Sequence, residues 1–143
     1  MYKKISLVVY VTIYLLFLTG CVPVYTPPSP ENTVPINISD LQTPQICVNH
    51  SWYTLEKGPK GFAYVPYGQR ITVGNNFSLI EDDGMFTRSV YCDPILSFIP
   101  RKGHRYALFF SQYGTDCGIS IFKYKQNTRL GVTPESSIKK GAC

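Results

Sequence analysis

Hydrophobic and polar positions divide this chain into three regimes. Residues 5–18 are almost continuously apolar, with Val8, Val9, Val11, Ile13 and Leu15 following the basic pair Lys3 and Lys4. A run of about fourteen residues is short for a membrane span, which needs about twenty. A basic start, a short apolar run and the small residues Thr19 and Gly20 before Cys21 are instead the pattern of a cleaved export signal over residues 1–20. The second regime, residues 21–44, holds Pro23, Pro27, Pro28, Pro30, Pro35 and Pro44 among Ser, Thr and Asn. It predicts an extended, semi-rigid spacer reaching about 60–70 Å at about 3 Å per residue. Within it only Ile36-Asn37-Ile38 alternates as a strand does, enough to add to a sheet edge.

The third regime, residues 45–143, consists of short β-branched and aromatic runs punctuated by Gly and Pro. It predicts strands at 46–53, 62–65, 70–73, 77–80, 85–92, 95–99, 104–113 and 117–125. Gly74-Asn75-Asn76 and the acidic stretch Glu81-Asp82-Asp83-Gly84 read as turns, and Gly114-Thr115-Asp116 joins the clearest hairpin. Seven to eight strands at this spacing predict an all-β fold, a small antiparallel β-sandwich, with 131–143 as a last strand or an irregular strap. In the hairpin, Tyr106, Leu108 and Phe110 share one face with Ile119 and Ile121, and Phe109, Phe122 and Tyr124 share the other. Two partly apolar faces predict a central or covered hairpin, whereas an open second face would mark a binding patch.

Leu18-Thr19-Gly20-Cys21 resembles the lipobox of a bacterial lipoprotein precursor. The resemblance covers about the first twenty-one residues and implies cleavage before Cys21, diacylglycerol on its sulfur and often a further acyl chain on the new amino terminus. Two or three chains make a durable anchor where one is marginal. Val22, where inner-membrane lipoproteins carry Asp, implies the outer membrane, with the domain in the periplasm or at the surface. A second, short resemblance lies in Phe98-Ile99-Pro100 and Gly103-His104-Arg105-Tyr106, similar to a turn in small transthyretin-like or immunoglobulin-like sandwich domains; it transfers no functional residue.

Lipidation of Cys21 changes the cysteine count. Four cysteines remain, an even number that predicts two disulfides in an oxidising compartment. Their wide spacing disfavours a metal site. Four cysteines allow three connectivities. Cys92 and Cys117 sit on the core-facing alternation of their strands, which favours a Cys92–Cys117 bridge and leaves Cys47 to pin the tail at Cys143.

Charge excludes more than it identifies. The signal takes two of fourteen basic residues and none of nine acidic ones, leaving about +3 on the mature part. That balance, together with export, argues against a nucleic-acid partner. The densest basic cluster, Arg101, Lys102, His104 and Arg105, is a candidate contact for an anionic partner. Lys139 and Lys140 add charge near the tail. The acidic stretch at 81–84 lacks the alternating ligands of a calcium loop. With His50 and His104 as the two histidines and no nucleophile elbow, the chain predicts neither catalysis nor a cofactor. The expected role is a lipid-tethered structural or accessory interaction protein with an envelope-protein partner. The alternative is a ligand-binding or host-interaction module for cell-wall glycan or anionic polymer.

Overall fold

The computed structural model describes residues 21–82, 84–125 and 131–143. The export signal therefore lies outside the described residues, as does Asp83 of the acidic turn. The described residues form eleven strands: β1 (Thr33–Asn37), β2 (Thr43–Val48), β3 (Ser51–Thr54), β4 (Phe62–Pro66), β5 (Ile71–Asp82), β6 (Thr87–Cys92), β7 (Ile95–Phe98), β8 (Tyr106–Tyr113), β9 (Asp116–Tyr124), β10 (Val132–Pro134) and β11 (Lys139–Lys140). Two sheets pack face to face. One has the order β10-β9-β8-β1-β4; the other runs β11-β7-β5-β2-β3, with β6 also paired to β5. The all-β sandwich with two disulfides is as the sequence predicts, but with eleven strands in place of seven or eight.

Three differences raise the number of strands, and the fusion of the predicted strands 70–73 and 77–80 into β5 lowers it by one. Residues 46–53 are two strands, because Asn49 and His50 adopt left-handed conformations (φ 52° and 60°) and make a two-residue hairpin turn. The tail supplies β10 and β11. The supposed spacer supplies β1 and the start of β2, so folding begins well before Gln45. Val34, Ile36, Ile38 and Leu41 are among its buried side chains. β1 is not an edge strand: it sits between β4 and β8, antiparallel to one and parallel to the other. Proline tolerates this position for a definable reason. Tyr67 N–H to Asn32 C=O and Ile38 N–H to Gly61 C=O fix the alternation, so the Pro35 nitrogen faces away from β4. Pairing with β8 begins only at Ile36, and no ladder bond is lost at Pro35.

Upstream of β1 the chain is also bound. Val24 pairs in parallel with Thr54 on the outer edge of β3. Tyr25 N–H donates to Thr54 C=O, and Thr54 N–H donates to Pro23 C=O, each at 2.9 Å. Tyr25 packs edge-on to Tyr53 at 5.6 Å. Residues 23–25 thus cover the β3 edge, and the chain then crosses to the other sheet through a short 3-10 turn at Pro30–Asn32.

Nor do Gly74, Asn75 and Asn76 form a turn; they lie within β5. A side chain at Gly74 would stand 3.0 Å from the Ile95 side chain, which explains the glycine without a bend. The buried Asn75 accepts the Thr43 N–H at 3.0 Å through its Oδ1. Beyond Asn76, β5 leaves β2 and continues with β6 as a two-stranded ribbon. Gln42 grips its base as a substitute strand: its amide oxygen accepts Ser78 N–H (2.8 Å) and its amide nitrogen donates to Ser78 C=O (3.3 Å). The core between the sheets centres on Ile36, Ile46, Val65, Ile71, Phe98, Tyr106, Leu108 and Ile121, all 0–2 % exposed. Each such side chain stabilises the fold by about 1.5–3 kcal/mol through burial.

The bridges are Cys47–Cys143 and Cys92–Cys117. The second ties the start of β9 to the end of β6. The first fixes the tail to β2, and Thr72 reinforces it by donating to Ala142 C=O at 2.5 Å.

Candidate functional site

Alternation in the β4-β1-β8-β9 sheet places Val34, Ala63, Val65, Tyr106, Leu108 and Ile121 inside. The intervening positions then form an outer face. Pro35, Phe62, Tyr64, Arg105, Ala107, Phe109, Phe122 and Tyr124 occupy it. The β8–β9 hairpin is central in its sheet, between β10 and β1, but no strand among the described residues covers this face, so of the two expected alternatives the central one holds and the covered one does not. Tyr64 is 57 % exposed and Phe109 47 %. Ala107, at 2 %, is buried beneath its larger neighbours. Phe109 and Phe122 meet edge to face at 5.5 Å, a preferred aromatic geometry.

Arg105 is built into this face. Its guanidinium lies 5.2 Å from the Phe62 ring and 5.2 Å from the Tyr124 ring. Its backbone carbonyl accepts the Tyr124 N–H at 2.9 Å. Two aromatic contacts orient the planar cation while leaving its N–H edge available to an anion. Beside it a groove of about 430 Å³ is lined by Pro35, Pro59, Lys60, Phe62, Tyr64 and Arg105, with two cations and no acid. Lys60 takes a left-handed conformation (φ 61°) ahead of Gly61 (φ 75°). A Cβ on Gly61 would come within 2.6 Å of the Ser39 Cβ, so that turn is closely packed.

The predicted basic cluster does not act as one unit. Arg105 belongs to the aromatic face, whereas Arg101 and Lys102 lie exposed in the β7–β8 loop at the end of the sandwich. Lys102 Nζ sits 5.8 Å from the Tyr67 ring, and His104 Nδ1 is 3.1 Å from the Lys102 carbonyl. Arg101 N–H donates to the Tyr106 hydroxyl at 2.9 Å. Burial raises the Tyr106 phenol above its ordinary pKa, with the Arg101 bond opposing the shift. A second recess, about 440 Å³, lies on the opposite sheet over the Cys47–Cys143 bridge; Arg70, Lys139 and Lys140 supply its charge, and His50 also lines it. His50 sits in the β2–β3 turn. Among the described residues no group of three His, Cys, Asp or Glu side chains is placed to hold a metal ion.

Of the acidic turn, Asp82 accepts Gly84 N–H at 3.0 Å, a local turn bond. Near it the ribbon exposes Ile80, Met85 and Phe86, at 73, 81 and 72 %. Cys21 is exposed and takes part in neither disulfide. Sequence reasoning missed Pro35, Phe62, Tyr64 and Lys60. The alternation of Phe62 and Tyr64 within a short strand was the available signal, while Pro35 was hidden in apparent linker. The chain matches no family model, no curated protein and no solved structure.

Proposed function

We propose that this chain is an envelope lipoprotein, anchored at the outer membrane through lipid on Cys21. Its β-domain, in the periplasm or at the surface, serves as a structural or accessory interaction protein. Another envelope protein docks on the aromatic outer face. The observation that carries this reading is the exposure of Tyr64 and Phe109 around the ring-stacked Arg105. Aromatic residues and arginine dominate the energetics of protein interfaces, and a rigid sheet presents them at little entropic cost. A photo-crosslinking residue at position 109 should capture one envelope protein in living cells, and the same residue at position 140 on the opposite sheet should not. Equal capture at both positions, or none, would refute the docking face. A mature-size, soluble Cys21→Ser product would refute the anchor.

The groove supports a second reading, a module for cell-wall glycan or anionic polymer. Phe62 and Tyr64 offer stacking surfaces, and Lys60 and Arg105 offer charge. Retention on peptidoglycan or lipopolysaccharide that is lost both at high salt and in Arg105→Ala would favour it over a protein partner.

A further inference from the structure

We infer that the domain rests directly on an anionic lipid bilayer, with its basic end toward the headgroups, in place of standing off on a spacer. The inference rests on the reading of Cys21 as the lipidated residue. Pro23 and Tyr25 are hydrogen-bonded to Thr54, so Val22 alone separates Cys21 from chain held in the sheet. Two residues span at most about 7 Å. The pairing with β3 is parallel, so the chain traced back to Cys21 runs toward the start of β3 and the Asn49-His50 turn. That end of the sandwich also carries the β4–β5 and β7–β8 loops.

Charge is segregated along the same axis. The anchor half exposes Arg70, Arg101, Lys102, Arg105, Lys139 and Lys140. The opposite half holds Asp40, Glu56, Asp82, Asp93 and Asp116, placed there by the β1–β2 and β3–β4 loops, the ribbon and the β8–β9 turn. Among the described residues the exceptions are Lys57, Lys60 and Arg88 in the far half and Glu31 and the buried Glu135 in the near half. Screening makes the short tether decisive. Headgroup charge is felt over about 8 Å at physiological ionic strength, so these cations meet it only if the domain touches the surface. The β5–β6 ribbon points the other way. By strand register its tip stands about eleven residues from the level of Cys21, about 36 Å along the strand axis.

Hydrogen exchange on the full lipidated protein tests this, once the mass of the N-terminal peptide has established lipid on Cys21. A chain without that lipid refutes the anchor reading itself, and this inference with it. In vesicles of phosphatidylglycerol and phosphatidylcholine, the loops at 67–70 and 99–105 should exchange more slowly than in pure phosphatidylcholine, and high salt should abolish the difference. The ribbon at 77–92 should exchange equally in both. Arg101→Ala and Lys102→Ala should each weaken the charge-dependent protection about five-fold, given the usual strength of a basic residue at an anionic surface. A lipidated protein whose loops exchange identically on both vesicles, or whose ribbon is protected in their place, would overturn the orientation.

Discussion

Removing one disulfide at a time gives a quantitative test of how the domain is held. Cys92–Cys117 spans 25 residues and Cys47–Cys143 spans 96. In the chain-entropy model these separations correspond to about 3.5 and about 4.7 kcal/mol. The bridges are nested, so with the inner one intact the outer closes an effective loop of about 72 residues, worth about 4.4 kcal/mol. With the outer bridge intact the inner contributes about 3.2 kcal/mol, so C47A/C143A should lose about 1.2 kcal/mol more than C92A/C117A, and either loss is a large share of a typical domain stability of about 5–15 kcal/mol. In urea, with an m-value of about 1.5 kcal/mol per molar, the midpoints should fall by about 3 M and about 2.1 M. Each variant would be followed by intrinsic fluorescence of Trp52, beside Cys47 in the β2–β3 register. A larger midpoint loss in C92A/C117A than in C47A/C143A would refute loop entropy as the main contribution of these bridges.

Further outcomes follow from single contacts. Gly61→Ala places a Cβ within 2.6 Å of the Ser39 Cβ at a φ of +75°; it should cost about 1–3 kcal/mol, read from thermal melts, and a neutral result would contradict the packing of that turn. Leu108→Ala, in the core, should cost about 2–5 kcal/mol in urea denaturation. Gln42→Ala should speed amide exchange at Ser78 while leaving the global urea midpoint nearly unchanged, since it releases only the base of the ribbon. Burial raises the Tyr106 and Tyr25 phenols, Tyr25 further through Tyr53. Their stabilising contribution is therefore complete below about pH 10, the ordinary tyrosine value, and is lost as pH climbs through the raised folded values. Tyr106→Phe should lessen that alkaline loss, at a cost of about 1 kcal/mol for the acceptor denied to Arg101 N–H.

The sandwich was legible because its core obeys the period-two rule: Tyr106, Leu108, Ile119 and Ile121 turn inward as their spacing requires. Bridge partners were legible for the same reason, since Cys92 and Cys117 fall on a predictable side of their strands. Composition misled at residues 21–44. Six prolines resemble linker, but Pro35 sits where its missing N–H has no strand to meet, and Pro23 contributes only its carbonyl. Local turn chemistry misled at Gly74-Asn75-Asn76, where a close neighbour and a buried side-chain bond outweigh propensity. The aromatic face was half visible. Phe109, Phe122 and Tyr124 emerge from alternation, but joining them to Phe62, Tyr64 and Arg105 requires knowing that β4, β1 and β8 are neighbours, which no local pattern contains.

The place of β1 bears on how the chain comes to be folded. Its partner β8 lies seventy residues downstream by the register of Ile36 with Tyr106. A ribosome or a translocation channel delivers β1 long before β8 exists. Until then β4 is the only strand of its own sheet that β1 can pair with, a two-stranded unit too small to be stable in water by itself. Contacts this distant in sequence close slowly. The nascent chain therefore carries an exposed apolar strand for much of its emergence. Holdase chaperones that bind extended apolar segments should recognise residues 33–38 in preference to the later hairpins, and the rate of maturation should depend on how quickly they let go.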